Sequence, residues 1–123
     1  MWCRPQLGEL NAIAEDFALA RTRLAGISKD TPQESMDWQT TADPDELVEF
    51  PLLSDTECVA ARAFGVYDLD HDMALPAIVL VDGRTGKVAW TFVSESIADR
   101  PEAARVLEQA QALRAQQAAA EAD

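Results

Sequence analysis

Basic side chains are scarce in this sequence. Its 10 lysines and arginines stand against 22 aspartates and glutamates, which leaves a formal net charge of −12. A nucleic-acid surface draws its affinity from clustered cations that displace counterions, so a general DNA- or RNA-binding role is excluded. Long apolar runs are missing as well. No stretch approaches the roughly 18 consecutive apolar residues of a membrane-spanning helix, and the opening Met1-Trp2-Cys3-Arg4-Pro5 has no secretory h-region. We therefore expect a cytoplasmic protein without a membrane partner. Cysteine is limited to Cys3 and Cys58 and histidine to His71, too few for a disulfide framework or for a zinc site built on cysteines. Both thiols are expected to be free, and no metal or organic cofactor is implied.

What is present fits one small globular domain: 123 residues, 48% of them hydrophobic. From Pro5 to about Arg21, Leu7, Leu10, Ile13, Ala14 and Phe17 recur at helical spacing, which predicts one amphipathic helix. A strand is predicted over 24–28. Thr31 as N-cap, Pro32 as first helical residue and Glu34 closing a capping box then start a second helix that runs to about Thr41. Residues 42–46 read as an acidic loop and 50–54 as a short strand. Asp55 or Thr56 caps a short helix that stops at Gly65. The apolar run 77–81 predicts a strand buried on both faces. The turn 82–86 and the alternating residues 87–92 complete a hairpin. A last helix is expected from Asp99 and Pro101, with Ala103, Val106, Leu107, Ala110 and Leu113 on its buried stripe. Residues 1–113 then form the domain, and the Ala- and Gln-rich 114–123 form a tail expected to fray. The order of elements belongs to the α/β class, with helices covering a mixed sheet.

Several segments, taken in order, carry a resemblance: Trp2-Cys3-Arg4-Pro5-Gln6-Leu7-Gly8-Glu9-Leu10, Phe50-Pro51-Leu52-Leu53-Ser54-Asp55, Ala63-Phe64-Gly65-Val66, Leu75-Pro76-Ala77-Ile78-Val79-Leu80-Val81-Asp82 and Gly86-Lys87. The sequence resembles the alkyl hydroperoxide reductase and thiol-specific antioxidant group of peroxiredoxin-like proteins. The resemblance implies a thioredoxin-like fold and a reactive cysteine at the start of the first long helix, which Cys3 matches. The positive end of a helix favours a thiolate, and Arg4 adds a nearby cation. On this resemblance Cys3 and Arg4 are the catalytic candidates, with a peroxide or a disulfide as substrate and a thioredoxin-type protein as reductant. Related members with a Trp-Cys-x-x-Cys motif offer another alignment, in which Cys3 is the second, resolving thiol.

The sequence departs from that family in lacking the Pro-x-x-x-Thr-x-x segment ahead of Cys3 and in having Pro76 where an arginine is usual. Pro76 is instead similar to the cis-proline beside thioredoxin-like active sites; otherwise it is a plain strand-entry proline. The strand that the fold expects ahead of the first helix is also missing, so the chain reads as truncated at its N-terminus. Cys58 is either a resolving thiol or a small core residue. His71, in Asp68-Leu69-Asp70-His71-Asp72, falls in a solvated acidic loop that does not complete a calcium-binding pattern. A second reading stays open, a redox-inactive thioredoxin-like module used for binding or dimerisation, or a truncated non-functional remnant. For such a module a homodimer would cover the open sheet edges.

Overall fold

In the computed structural model of the chain, the described residues are 4–41, 47–94 and 103–122. The first amphipathic stretch forms two helices, α1 (Arg4–Ala12) and α2 (Ala14–Leu19), rather than the single helix expected. Ile13 separates them with φ −115° and ψ 24°, and its N–H reaches back three residues to the Leu10 carbonyl at 3.2 Å. Neither glycine nor proline marks the break, so periodicity runs straight through it. At the far end of α2, Arg21 takes a left-handed conformation with φ 54°. There Thr22 N–H donates to Phe17 and Arg21 N–H donates to Ala18, at 2.8 and 2.9 Å. That pair of bonds satisfies carbonyls which the last helical turn leaves open.

Strand β1 (Gly26–Ser28) pairs in parallel with β2 (Leu52–Ser54), Ile27 standing opposite Leu53. Gly26 packs closely, since a Cβ there would stand 2.8 Å from Leu52 Cδ2, a side-chain end that would have to shift, and 3.5 Å from Leu7 Cδ2. The bare backbone thus lets α1 lie over β1. Helix α3 (Pro32–Thr41) opens with the predicted capping box. Glu34 N–H donates to Thr31 Oγ1 at 3.1 Å, and Thr31 N–H donates to Glu34 Oε1 at 3.0 Å. Donation from the Thr31 N–H, joined by the Thr31 side chain, holds the Glu34 carboxyl below the usual carboxylate range. Thr31→Ala removes the hydroxyl acceptor and is expected to cost about 1 kcal/mol in urea denaturation; an unchanged midpoint would deny the box any part in stability.

Helix α4 (Val59–Ala63) starts where Asp55 accepts from Ala60 and Ala61 N–H at 3.1 and 3.0 Å, and Gly65, with φ 73°, closes it. These donors hold the Asp55 carboxyl below its ordinary range. A small hairpin follows, β3 (Tyr67–Asp68) with β4 (Met73–Ala74). Strands β5 (Ala77–Asp82) and β6 (Lys87–Val93) form the larger antiparallel hairpin, with a register shift between Leu80 and Val81. The described strands therefore form three two-stranded ladders, one parallel and two antiparallel, where one mixed sheet was expected.

Two expectations need correction. β5 is half-buried rather than covered on both faces, and Val81 is 42% exposed, because among the described strands only β6 pairs with it. The last helix, α5 (Ala103–Ala122), continues through the residues expected to fray. Alanine and glutamine favour helix, and no glycine or proline interrupts them. Long-range bonds also hold this end: Arg84 donates to the Gln117 carbonyl at 3.1 Å, and the Gln117 amide donates to Asp82 at 2.8 Å. The predicted cap at Asp99 and Pro101 lies outside the described residues.

The main core joins Phe17, Ala20, Val106 and Ala110, with Leu10, Ile13, Leu24, Ile78, Leu80, Trp90 and Leu107 around them. A second, smaller cluster holds Cys58, Ala61 and Val66 under Tyr67 and Ala77.

Candidate functional site

The backbone of α1 is described from Arg4 onward. Cys3, and the side chain of the other catalytic candidate, Arg4, lie outside the described residues. The first turn of that helix is approached through Leu7, which is buried against β1 and β2 near Gly26 and Phe50.

Pro76 stands just ahead of β5. The peptide bond that precedes it is trans, which corrects the cis geometry expected from its likeness to thioredoxin-like prolines. Backbone hydrogen bonds on both sides keep this segment extended. Leu75 N–H donates to the Val66 carbonyl, and the Pro76 carbonyl accepts from buried Ser94, both at 2.8 Å. Nothing here opposes the trans isomer that X–Pro bonds ordinarily favour.

Cys58 is a free thiol, 2% exposed, in a left-handed conformation with φ 57° at the start of α4. Its Sγ lies 3.9 Å from the Asp72 carbonyl oxygen. Asp72 is also left-handed, with φ 48°, and it gathers side chains from distant parts of the chain. Lys29 Nζ donates to its carbonyl at 2.6 Å and to its carboxylate at 3.1 Å, while the Tyr67 hydroxyl donates to the carboxylate at 2.6 Å. The Tyr67 and Lys29 donors hold the Asp72 carboxyl below its ordinary range. In return the same carboxylate raises both Tyr67 and Lys29. Arg62 of α4 lies over the Tyr67 ring at 4.6 Å, in cation–π range. Nothing in the sequence pattern points to this cluster, since Lys29 and Asp72 are 43 residues apart.

His71 faces Asp68, with Nδ1 2.6 Å from the carboxylate, and this contact draws the Asp68 carboxyl below the usual range. No group of three or more potential metal ligands occurs among the described residues.

A sequence model of the AhpC/TSA family matches residues 1–91. The chain belongs to the AhpC/TSA family. Solved structures agree in fold. Enterococcus faecalis AhpC superimposes with a TM-score of 0.86 at 20% identity, covering 100% of this chain and 71% of that one. Mycobacterium tuberculosis AhpC gives 0.81 at 19% identity, covering 93% and 62%. The mitochondrial 2-Cys peroxiredoxin of Plasmodium falciparum gives 0.80 at 24% identity, covering 90% and 66%. This AhpC/TSA chain thus has the thioredoxin-like fold, and it spans less than two thirds of the length of the last two relatives. No curated protein matches it in sequence. In this AhpC/TSA chain the Asp72 cluster is tied to Cys58, Lys29 and Tyr67 among the described residues.

Proposed function

We propose that this chain reduces peroxides through the Cys3 thiol. The observation that carries the reading is that the AhpC/TSA match over residues 1–91 includes Cys3, close in sequence to the described part of α1, Arg4–Ala12. A helix N-terminus favours an anion, and a cysteine beside it gains thiolate character. The Cys3 thiolate attacks the hydroxyl oxygen of the peroxide. The S–O bond forms as the O–O bond breaks, and the departing alkoxide takes up a proton to give an alcohol. Cys3 becomes a sulfenic acid, oxidised by two electrons. A second thiol then displaces water to form a disulfide, which a further thiol reduces.

Arg4 supplies a cation adjacent in sequence to the nucleophile, and Pro76 shapes the surface that meets the substrate. Burial of Cys58 favours an external thiol of the thioredoxin type as the resolving and reducing partner over Cys58 itself. We place the protein in the cytoplasm as a homodimer. No helix among the described residues is long and apolar enough to cross a membrane.

The test is to alkylate Cys3 in the intact chain across pH while peroxide consumption is followed. The midpoint of Cys3 reactivity should fall below the value of about 8.5 for a free cysteine, with peroxide consumption rising over the same range. An ordinary midpoint without peroxide loss would overturn the proposal.

A further inference from the structure

We propose that the hairpin 67–74 is a strap, latched at Asp72, whose opening uncovers the Cys58 thiol. The strap is minimal: β3 and β4 pair only Tyr67 with Ala74 and Asp68 with Met73. Its turn stands in solvent, Leu69 being 80% exposed. Asp72 carries the hydrogen bonds that fasten its turn to the rest of the molecule, while the Arg62 guanidinium lies over the Tyr67 ring at its start. Asp72 takes hydrogen bonds from Lys29, just beyond β1, on both its carbonyl and its carboxylate, and its carbonyl also meets Cys58 Sγ at the start of α4. The Tyr67 hydroxyl closes the latch from within the strap.

The strap supplies two of the groups that shelter the thiol, the Tyr67 side chain and the Asp72 carbonyl. Cys58 is buried with Ala61 and Val66 under Tyr67 and Ala77. Tyr67 is the first residue of β3, and Val66 precedes it and anchors Leu75 on the returning side at 2.8 Å. Lifting the strap therefore breaks up the small cluster while the main core around Phe17 stays intact. The fastening groups are exposed, with Lys29 and Asp72 side chains at 43% and 66%. Exposed ion pairs contribute little, and a short two-stranded ladder is marginal alone. This segment accordingly belongs to the low-stability end of the fold, opening without global unfolding.

The experiment uses the full chain with Cys3→Ser, so that Cys58 is the remaining thiol, and iodoacetamide, from which the Cys58 thiolate displaces iodide. Asp72→Asn keeps the shape and a side chain that tolerates the left-handed backbone, but removes the carboxylate. It should speed Cys58 alkylation roughly five- to tenfold with the urea midpoint nearly unchanged. Lys29→Gln, which attacks the latch from the other side, should act in the same direction, and the double variant should label no faster than Asp72→Asn. His71→Gln, on the same turn but paired with Asp68, should label at the parent rate. Parent rates in both latch variants would overturn the proposal. So would alkylation that follows global unfolding in urea, or acceleration by His71→Gln equal to that by Asp72→Asn. If Asp72→Asn fails to fold, Lys29→Gln decides alone.

Discussion

Cys3→Ser is expected to lower peroxide consumption at least about a thousandfold, to the level of buffer, because a serine hydroxyl at neutral pH is no nucleophile toward an O–O bond. The other thiol offers no relief. Cys58 is 2% exposed and its sulfur faces the Asp72 carbonyl, so a peroxide meets it only when hairpin 67–74 has opened. On the proposed function, the activity of the unaltered chain is thus expected to rest on Cys3. Single-turnover measurement gives the sharper reading: the unaltered chain should consume one peroxide per molecule before any reductant is added, and the serine variant none. Peroxide loss at the unaltered rate in Cys3→Ser would sink the assignment. Magnitudes also bear on the role of Arg4. A helix terminus contributes about 0.3–1 kcal/mol to a nearby anion, whereas one pKa unit corresponds to about 1.4 kcal/mol. A Cys3 pKa more than about one unit below that of a free thiol therefore requires a second source of positive charge, and Arg4 is the adjacent cation in the sequence.

Features written in local chemistry are legible in the amino-acid sequence. The capping box of Thr31 and Glu34, the Asp55 start and Gly65 stop of α4, and the β5–β6 hairpin all depend on residues within a few positions of one another, and all appear in the fold as expected. The family resemblance is legible for the same reason, as short segments kept in order. Features that depend on distant partners are not. Ile13 breaks the first helix without a glycine or proline to announce it. The end of α5 is held by Arg84 and Asp82, more than 30 residues away in sequence, so the local pattern shows only small residues with no reason to stay ordered. The cis form expected at Pro76 comes from likeness to other proteins, while the actual backbone follows its bonds to Val66 and Ser94 through Leu75 and Pro76. For the site, the sequence marks both cysteines but has no means of joining Cys58 to Lys29 through Asp72.

Phe17→Ala should cause the largest loss of stability of any single substitution in the described core. Phe17 is 1% exposed and stands where α2, α5 and the β5–β6 hairpin meet, among Ala20, Val106, Ala110, Ile78, Leu80 and Trp90. Truncating a buried phenylalanine costs about 3–5 kcal/mol, the upper part applying where neighbours cannot move into the space. Two of its buried neighbours, Ala20 and Ala110, are alanines with no side-chain reach to fill it. A small domain has only about 5–15 kcal/mol in total, so the variant should lose a third or more of its stability, read as a lower urea midpoint at unchanged slope. Phe17→Leu, which keeps most of the apolar volume, should cost under about 1.5 kcal/mol. The contrast separates cavity formation from disturbance of the α2 terminus, because both variants keep the backbone bond from Thr22 to the residue 17 carbonyl. If Phe17→Ala cost no more than Phe17→Leu, the packing of α5 against α2 and β5 would not be what closes the core.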